Sequence, residues 1–141
     1  GRTLHPGNTL WAAFLLESPT RKIYFSGDGG YDERFKKVRE RFGNVDWALI
    51  ENGQYNEDWA FIHMMPEQVV QAIRDLAPRH VLPIHNSKFA LARHEWDEPL
   101  RLLSAAAERE NLPLLTPRIG EVVQLNNEAQ TFDRWWEEVK D

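Results

Sequence analysis

Two rhythms of apolar and polar positions alternate along this chain, and each change of rhythm marks an element. Residues 8–16 (NTLWAAFLL) form a continuous apolar run, and Lys22 to Ser26 form a shorter one beyond the turn Ser18-Pro19-Thr20. Short β-prone runs bounded by turn residues predict two strands joined as a hairpin. From Asp32 the period lengthens: Phe35, Val38 and Phe42 share one helical face behind Asp32 as N-cap, and Gly43 closes the helix. Asp46 to Glu51 (DWALIE) returns to strand, followed by the irregular stretch Asn52-Gly53-Gln54-Tyr55-Asn56. A second helix begins at Pro66, whose missing N–H costs nothing in a first turn. It turns Val69, Val70, Ile73 and Leu76 inward and stops before Pro78. Val81 to Ile84 is the next strand, with Pro83 pointing to an edge or a bend. A third helix capped by Asp97 runs to Asn111, and a last strand is expected over Thr116 to Leu125, around Gly120. Strands alternating with helices predict an α/β layered domain.

Composition narrows the function classes. The 141 residues make one domain, or a piece of a larger one, long enough to bury a core. The opening Gly1-Arg2-Thr3-Leu4 lacks an initiator Met and runs into structured-looking sequence, so a cut from a longer chain is expected. A net charge of −5 without a basic stripe argues against nucleic acid as partner. No apolar run approaches the roughly 20 residues needed to cross a bilayer. With no cysteine, any metal must be held by histidine and carboxylate. That count also fits a reducing compartment, and a cytoplasmic location is the expectation. Trp135 and Trp136 stand in the charged stretch Phe132 to Asp141. A terminal helix docking its indoles on the core is the favoured reading, with a membrane or partner contact as the alternative.

Candidate chemistry starts at Ser26-Gly27-Asp28-Gly29-Gly30, where an apolar strand stops at one carboxylate fenced by glycines. Glycine permits close backbone approach, so Asp28 is placed either to bind a metal or to cap the next helix in a tight turn. A histidine taken singly is more often structural than a ligand. Of the five, His85 differs because it ends a predicted strand just as the Asp28 stretch does, and ligands of layered α/β domains collect outside strand ends. One aspartate and one histidine make only part of a metal sphere, since catalytic zinc takes about three protein ligands plus water.

Five short segments in order carry a resemblance. They are Arg2-Thr3-Leu4 with Asn8-Thr9-Leu10-Trp11, then Ser26 to Tyr31, Glu51 to Tyr55, Ile62-His63-Met64-Met65-Pro66-Glu67, and Pro83 to Ala92. Residues 1–125 resemble the C-terminal half of a metallo-β-lactamase-fold hydrolase. The nearest branch is that of N-acylphosphatidylethanolamine-hydrolysing phospholipase D, with the ascorbate-phosphate lactonases nearby. Residues 126–141 form a tail expected to be helical. The resemblance implies an αββα sandwich, of which this chain supplies part. Asp28 matches a carboxylate bridging two metals, zinc being the expected metal, and His85 matches the last imidazole on the second metal. His63 matches a histidine at the pocket mouth that assists at the substrate or leaving group; the alternative is a helix-entry residue ahead of Pro66. Asn86-Ser87-Lys88 stand where the phospholipase branch often has Trp-Gly-Thr, so the resemblance reaches the branch without fixing its lipid substrate.

The family's His-x-His-x-Asp-His ligand set does not occur in these residues. His5 falls past the expected upstream metal histidine, while His80 and His94 lie off the ligand positions, His94 and Trp96 being candidates for the pocket rim. The implied activity of the whole protein is hydrolysis of a phosphodiester, or of a related ester or lactone, by a metal-activated water. The substrate expected is a small molecule or lipid-like. Alone, the chain is expected to bind metal weakly, to be inactive, and to self-associate through the sheet face that its missing N-terminal half would cover. The alternative function is a non-catalytic binding or assembly module that retains the fold.

Overall fold

The computed structural model describes residues 11–89 and 91–139. Residues 8–10 of the first expected strand, the Arg2-Thr3-Leu4 match and His5 lie outside the described residues. The order is β1 (Phe14–Glu17), β2 (Lys22–Phe25), α1 (Arg34–Phe42), β3 (Trp47–Glu51), a 3-10 turn (Glu57–Trp59), α2 (Pro66–Leu76), β4 (His80–Ile84), α3 (Glu98–Glu110) and a second 3-10 turn (Trp135–Glu137). The strands form one sheet in the order β1-β2-β3-β4. β1 and β2 are the expected antiparallel hairpin, and β2, β3 and β4 run parallel. Ser18 shapes the hairpin turn by accepting the Arg21 N–H on its hydroxyl at 3.0 Å.

Helix ends follow local chemistry. Asp32 acts one residue before the observed N-cap, Glu33, with its Oδ1 accepting the Arg34 N–H at 2.7 Å. Gly43 takes the positive φ of 74° that ends α1. Pro66 opens α2 as the sequence predicts, and Ala77 ends it in the left-handed region at φ 45°. Helices and sheet meet on one face. The register row Leu15, Tyr24, Ala48, Val81, with Ile50, packs against Phe35 of α1, Val69, Val70, Ile73 and Leu76 of α2, and Leu103 of α3. Each large apolar side chain buried there contributes about 1.5–3 kcal/mol. Tyr24 and Phe35 add an edge-to-face contact at 5.9 Å.

The other face of the sheet is unevenly covered. Trp47 is buried against a stacked His80 ring at 4.3 Å, so His80 is a packing residue, as expected. On β1, Phe14 and Leu16 remain 58% exposed. Over β3 and β4, residues 116–121 and Trp135 enclose a hollow of about 330 Å³ against Leu49, Leu82 and Ile84.

Two expectations are corrected. No strand forms over Thr116 to Leu125: the chain makes one parallel bridge, Leu114 to Val81, and then turns, with the Glu121 N–H on the Arg118 carbonyl at 2.9 Å. Pro117 lacks a ladder donor and Gly120 sits at φ 88°, and both break extended pairing. The tail is also not a continuous helix. Among the described residues of the tail, helical backbone is confined to the 3-10 turn Trp135–Glu137, because so short a charged segment has too little apolar face to hold a helix. The indoles do dock: Trp136 is 3% exposed, and Trp135 stacks on Trp96 at 6.2 Å.

Candidate active site

Because β2, β3 and β4 are parallel, their carboxyl ends open on one edge of the sheet, where α/β domains gather their ligands. Asp28 lies just past β2, Glu51 is the last residue of β3, and His85 follows the last residue of β4. The three exits are tied together by hydrogen bonds. The Ser26 hydroxyl accepts the Glu51 N–H at 2.9 Å and donates to the Gly27 carbonyl at 2.9 Å, coupling the Asp28 loop to β3. Gly27 turns that loop at φ 71°, and a Cβ there would lie 2.6 Å from the Ala12 carbonyl oxygen. On the other side, the Asn52 N–H bonds the Ile84 carbonyl at 2.9 Å. Gly53 is packed so closely that a Cβ would stand 2.6 Å from the His85 carbonyl oxygen. His85 itself holds φ 65° and Ser87 φ 66°, a left-handed backbone that is costly for residues other than glycine. Strain of this kind persists only where surrounding bonds fix it.

His63 reaches this edge from the loop before α2. Its ring centroid lies 5.0 Å from that of His85, tilted by 32°. Its Nδ1 is 3.0 Å from Glu51 Oε1, and the Met64 N–H donates to the same oxygen at 2.9 Å. Glu51 is fully buried, and its Oε2 has no hydrogen-bond partner among the described residues. A buried carboxylate is tolerated when hydrogen bonds compensate it, and here both contacts come from one short segment.

The segment leaving β3 braces the rest of the rim. The Gln54 side chain accepts from the Leu91 N–H at 2.9 Å and the Ala92 N–H at 3.2 Å, and donates to the Phe89 carbonyl at 2.5 Å. The Gln54 N–H donates to His94 Nε2 at 2.9 Å, so the His94 proton sits on Nδ1, facing the Glu95 carbonyl at 2.7 Å. Both nitrogens of His94 are therefore engaged in bracing, and its role is structural. Tyr55 stacks on His94 at 4.4 Å and donates its hydroxyl to Glu98 at 2.5 Å. Burial, reinforced by that bond, raises the phenol above its ordinary 10.0. Asn52 Nδ2 donates to the Pro99 carbonyl at 3.0 Å.

Beside His85 lies a hollow of about 150 Å³, lined by Gln54, Asn86, Lys88, Phe89 and Leu91. Lys88 Nζ stands 5.5 Å from the centre of the Phe89 ring, so a cation and apolar surface share this rim. Asp28 and His85 thus occupy the same sheet edge, and His63 meets His85 there. Among the described residues, no group of three or more His, Asp or Glu side chains is close enough to hold an ion. Glu51 is the residue that sequence reasoning passed over. Its signal was a lone acidic residue closing the apolar run Trp47-Ala48-Leu49-Ile50.

A sequence profile described as a beta-lactamase superfamily domain matches residues 1–86, ending just after His85. The chain belongs to this family and has the metallo-β-lactamase fold. It is 54% identical over 85 residues to the outer membrane protein RomA of Klebsiella pneumoniae, covering 60% of this chain and 64% of that one. It is 37% identical over 114 residues to the N-acyl-phosphatidylethanolamine-hydrolyzing phospholipase D of Saccharomyces cerevisiae, covering 77% of this chain and 24% of that enzyme. The structure of Igni18, a metallo hydrolase from Ignicoccus hospitalis, superposes with a TM-score of 0.58 at 22% identity, over 77% of this chain and 43% of that one. The chain thus spans only part of the length of the relatives it matches.

Proposed function

We propose that the protein carrying this chain is a metal-dependent hydrolase of phosphodiesters or related esters and lactones. The observation that carries the reading is the shared sheet edge, where Asp28, the Glu51–His63 pair and His85 stand at the ends of three parallel strands. The donor chemistry fits a divalent ion such as zinc, since a carboxylate and an imidazole are its ordinary ligands when thiolate is lacking. Asp28 and His85 would hold it, completed by ligands from residues beyond this chain. When bound, such an ion supplies Lewis acidity and an acidified water. Similarity to the yeast phospholipase D supports the phosphodiester class. So does the rim beside His85, where Lys88 would meet a phosphate and Phe89 and Leu91 an apolar tail. His63, held by Glu51, would exchange a proton with the attacking water or the leaving group.

Among the described residues, no helix is long and apolar enough to cross a membrane. A cytoplasmic protein in peripheral contact with lipid suits the proposed substrate. The open β1 face, with Phe14 and Leu16 each 58% exposed, is where the remaining half of the fold would pack, and where the isolated chain would self-associate. The reading is tested by metal analysis of the full-length protein and by hydrolysis of a panel of phosphodiesters, esters and lactones. Stoichiometric zinc with turnover on one class is expected. A well-folded full-length protein that takes up no divalent metal and turns over nothing would overturn the reading and leave a binding module.

A further inference from the structure

We propose that Glu51 is a positioning residue that fixes His63 as its Nδ1–H tautomer and so presents Nε2, with its lone pair, as the working nitrogen of the site. This deepens the hydrolase reading and rests on it for the use made of His63, while the tautomer itself stands on geometry. One oxygen, Glu51 Oε1, receives both the Met64 N–H at 2.9 Å and the His63 Nδ1 contact at 3.0 Å. A carboxylate oxygen carries no proton and can only accept, from the Met64 N–H and from the imidazole alike, which assigns the proton to Nδ1. The second contact is sequence-adjacent to the first, so the loop delivers the ring and the backbone donor as one unit.

Burial makes the arrangement stiff. Glu51 is 0% exposed, and its N–H is spent on Ser26 Oγ at 2.9 Å, so the carboxylate has a fixed stem. The His63 side chain is 15% exposed, leaving a narrow opening to the edge shared with His85. With Nδ1 occupied, Nε2 is the nitrogen left for a proton on substrate or water. A carboxylate behind an imidazole is a general way of setting tautomer and ring orientation, and the wrong tautomer leaves a ring in place that does no proton transfer. Glu51 touches no reacting atom in this arrangement and acts through His63.

The test is two-dimensional ¹H–¹⁵N correlation of the histidine side chains in the protein labelled at histidine, recorded at about pH 8, above the ordinary histidine range. His63 is expected as the Nδ1–H form. An Nε2–H form, or an imidazolium, would overturn the proposal whatever the activity. Glu51→Gln keeps one acceptor oxygen and is expected to preserve the tautomer. Glu51→Leu is expected to shift His63 toward Nε2–H, the form that free neutral imidazole side chains favour, with His94 as an unshifted internal control. Should Glu51→Leu fail to fold, the parent and Glu51→Gln spectra still decide the matter. In the full-length enzyme, Glu51→Leu is expected to lower kcat on the order of 100-fold with KM and metal content held, and Glu51→Gln to restore most of it. Loss of metal in step with kcat would overturn the positioning role. An Nδ1–H His63 in a protein that hydrolyses nothing would uphold the proposal and sink the hydrolase reading alone.

Discussion

The segment leaving β3 and the segment leaving α3 are both irregular, yet they are held in opposite ways. Glu51, Asn52, Gln54 and Tyr55 are each under a tenth exposed, and their side chains bond to separate parts of the chain: the His63 loop, Pro99, the 89–92 loop and Glu98. Beyond Leu114, by contrast, Ile119 and Val122 are 68% and 71% exposed, and the tail is anchored by the buried indole of Trp136, with Trp135 on Trp96 and surface ion pairs such as Arg79–Glu128 beside it. Irregular backbone is held tightly where buried side chains bond to several parts of the chain, and more loosely where indole contacts and exposed ion pairs hold it. The candidate active site grows from the first kind.

The comparison is broken most severely by removing the anchor. Trp136→Ala is expected to cost about 3 kcal/mol in urea denaturation, as aromatic-to-alanine changes in cores do. The loss stays away from the β3 exit, so the His63 side-chain resonance should not move. Its movement would show that the two regions are one unit. Gly53→Ala attacks the other side. The new Cβ must displace the His85 carbonyl oxygen from 2.6 Å, with an expected cost of about 2 kcal/mol and a shifted His85 resonance. An unshifted His85 would mean that the β3 exit does not position β4's.

Tyr55→Phe sharpens the contrast with a smaller effect, about 1 kcal/mol for one hydrogen bond to Glu98. It also carries a pH signature. The folded phenol titrates above its ordinary 10.0, so its contribution is whole below pH 10 and is lost as pH rises past that value. Alkaline denaturation curves of parent and variant should therefore converge above pH 10, and a constant gap there would contradict the assignment. Smallest of all, Ile119→Ser on the loose segment should change stability by under about 0.5 kcal/mol by thermal melting.

The sheet and helices were legible in the sequence because their signals are local. Pro66 and the Val69, Val70, Ile73, Leu76 stripe announce α2, and DWALIE announces β3, since period and capping act within a few residues. The strand expected over Thr116 to Leu125 does not form because Pro117 and the turn chemistry of Arg118 and Glu121 outweigh the apolar content around Gly120. The tail helix failed for want of an apolar face. At the site, Asp28, His63 and His85 could be named through family resemblance, and parallel strand order brings Asp28 and His85 to one edge. Glu51 could not be paired with His63 from sequence, because a buried carboxylate finds its donors through tertiary packing rather than spacing.

The account depends on Asp28 and His85 serving one metal centre with His63 beside it. Anomalous diffraction at the zinc edge, from crystals of the full-length protein, tests this most directly. The expected result is density within about 2.0–2.2 Å of the Asp28 carboxylate and a His85 ring nitrogen, the ordinary range for zinc. Zinc bound elsewhere, with neither side chain as ligand, would contradict it.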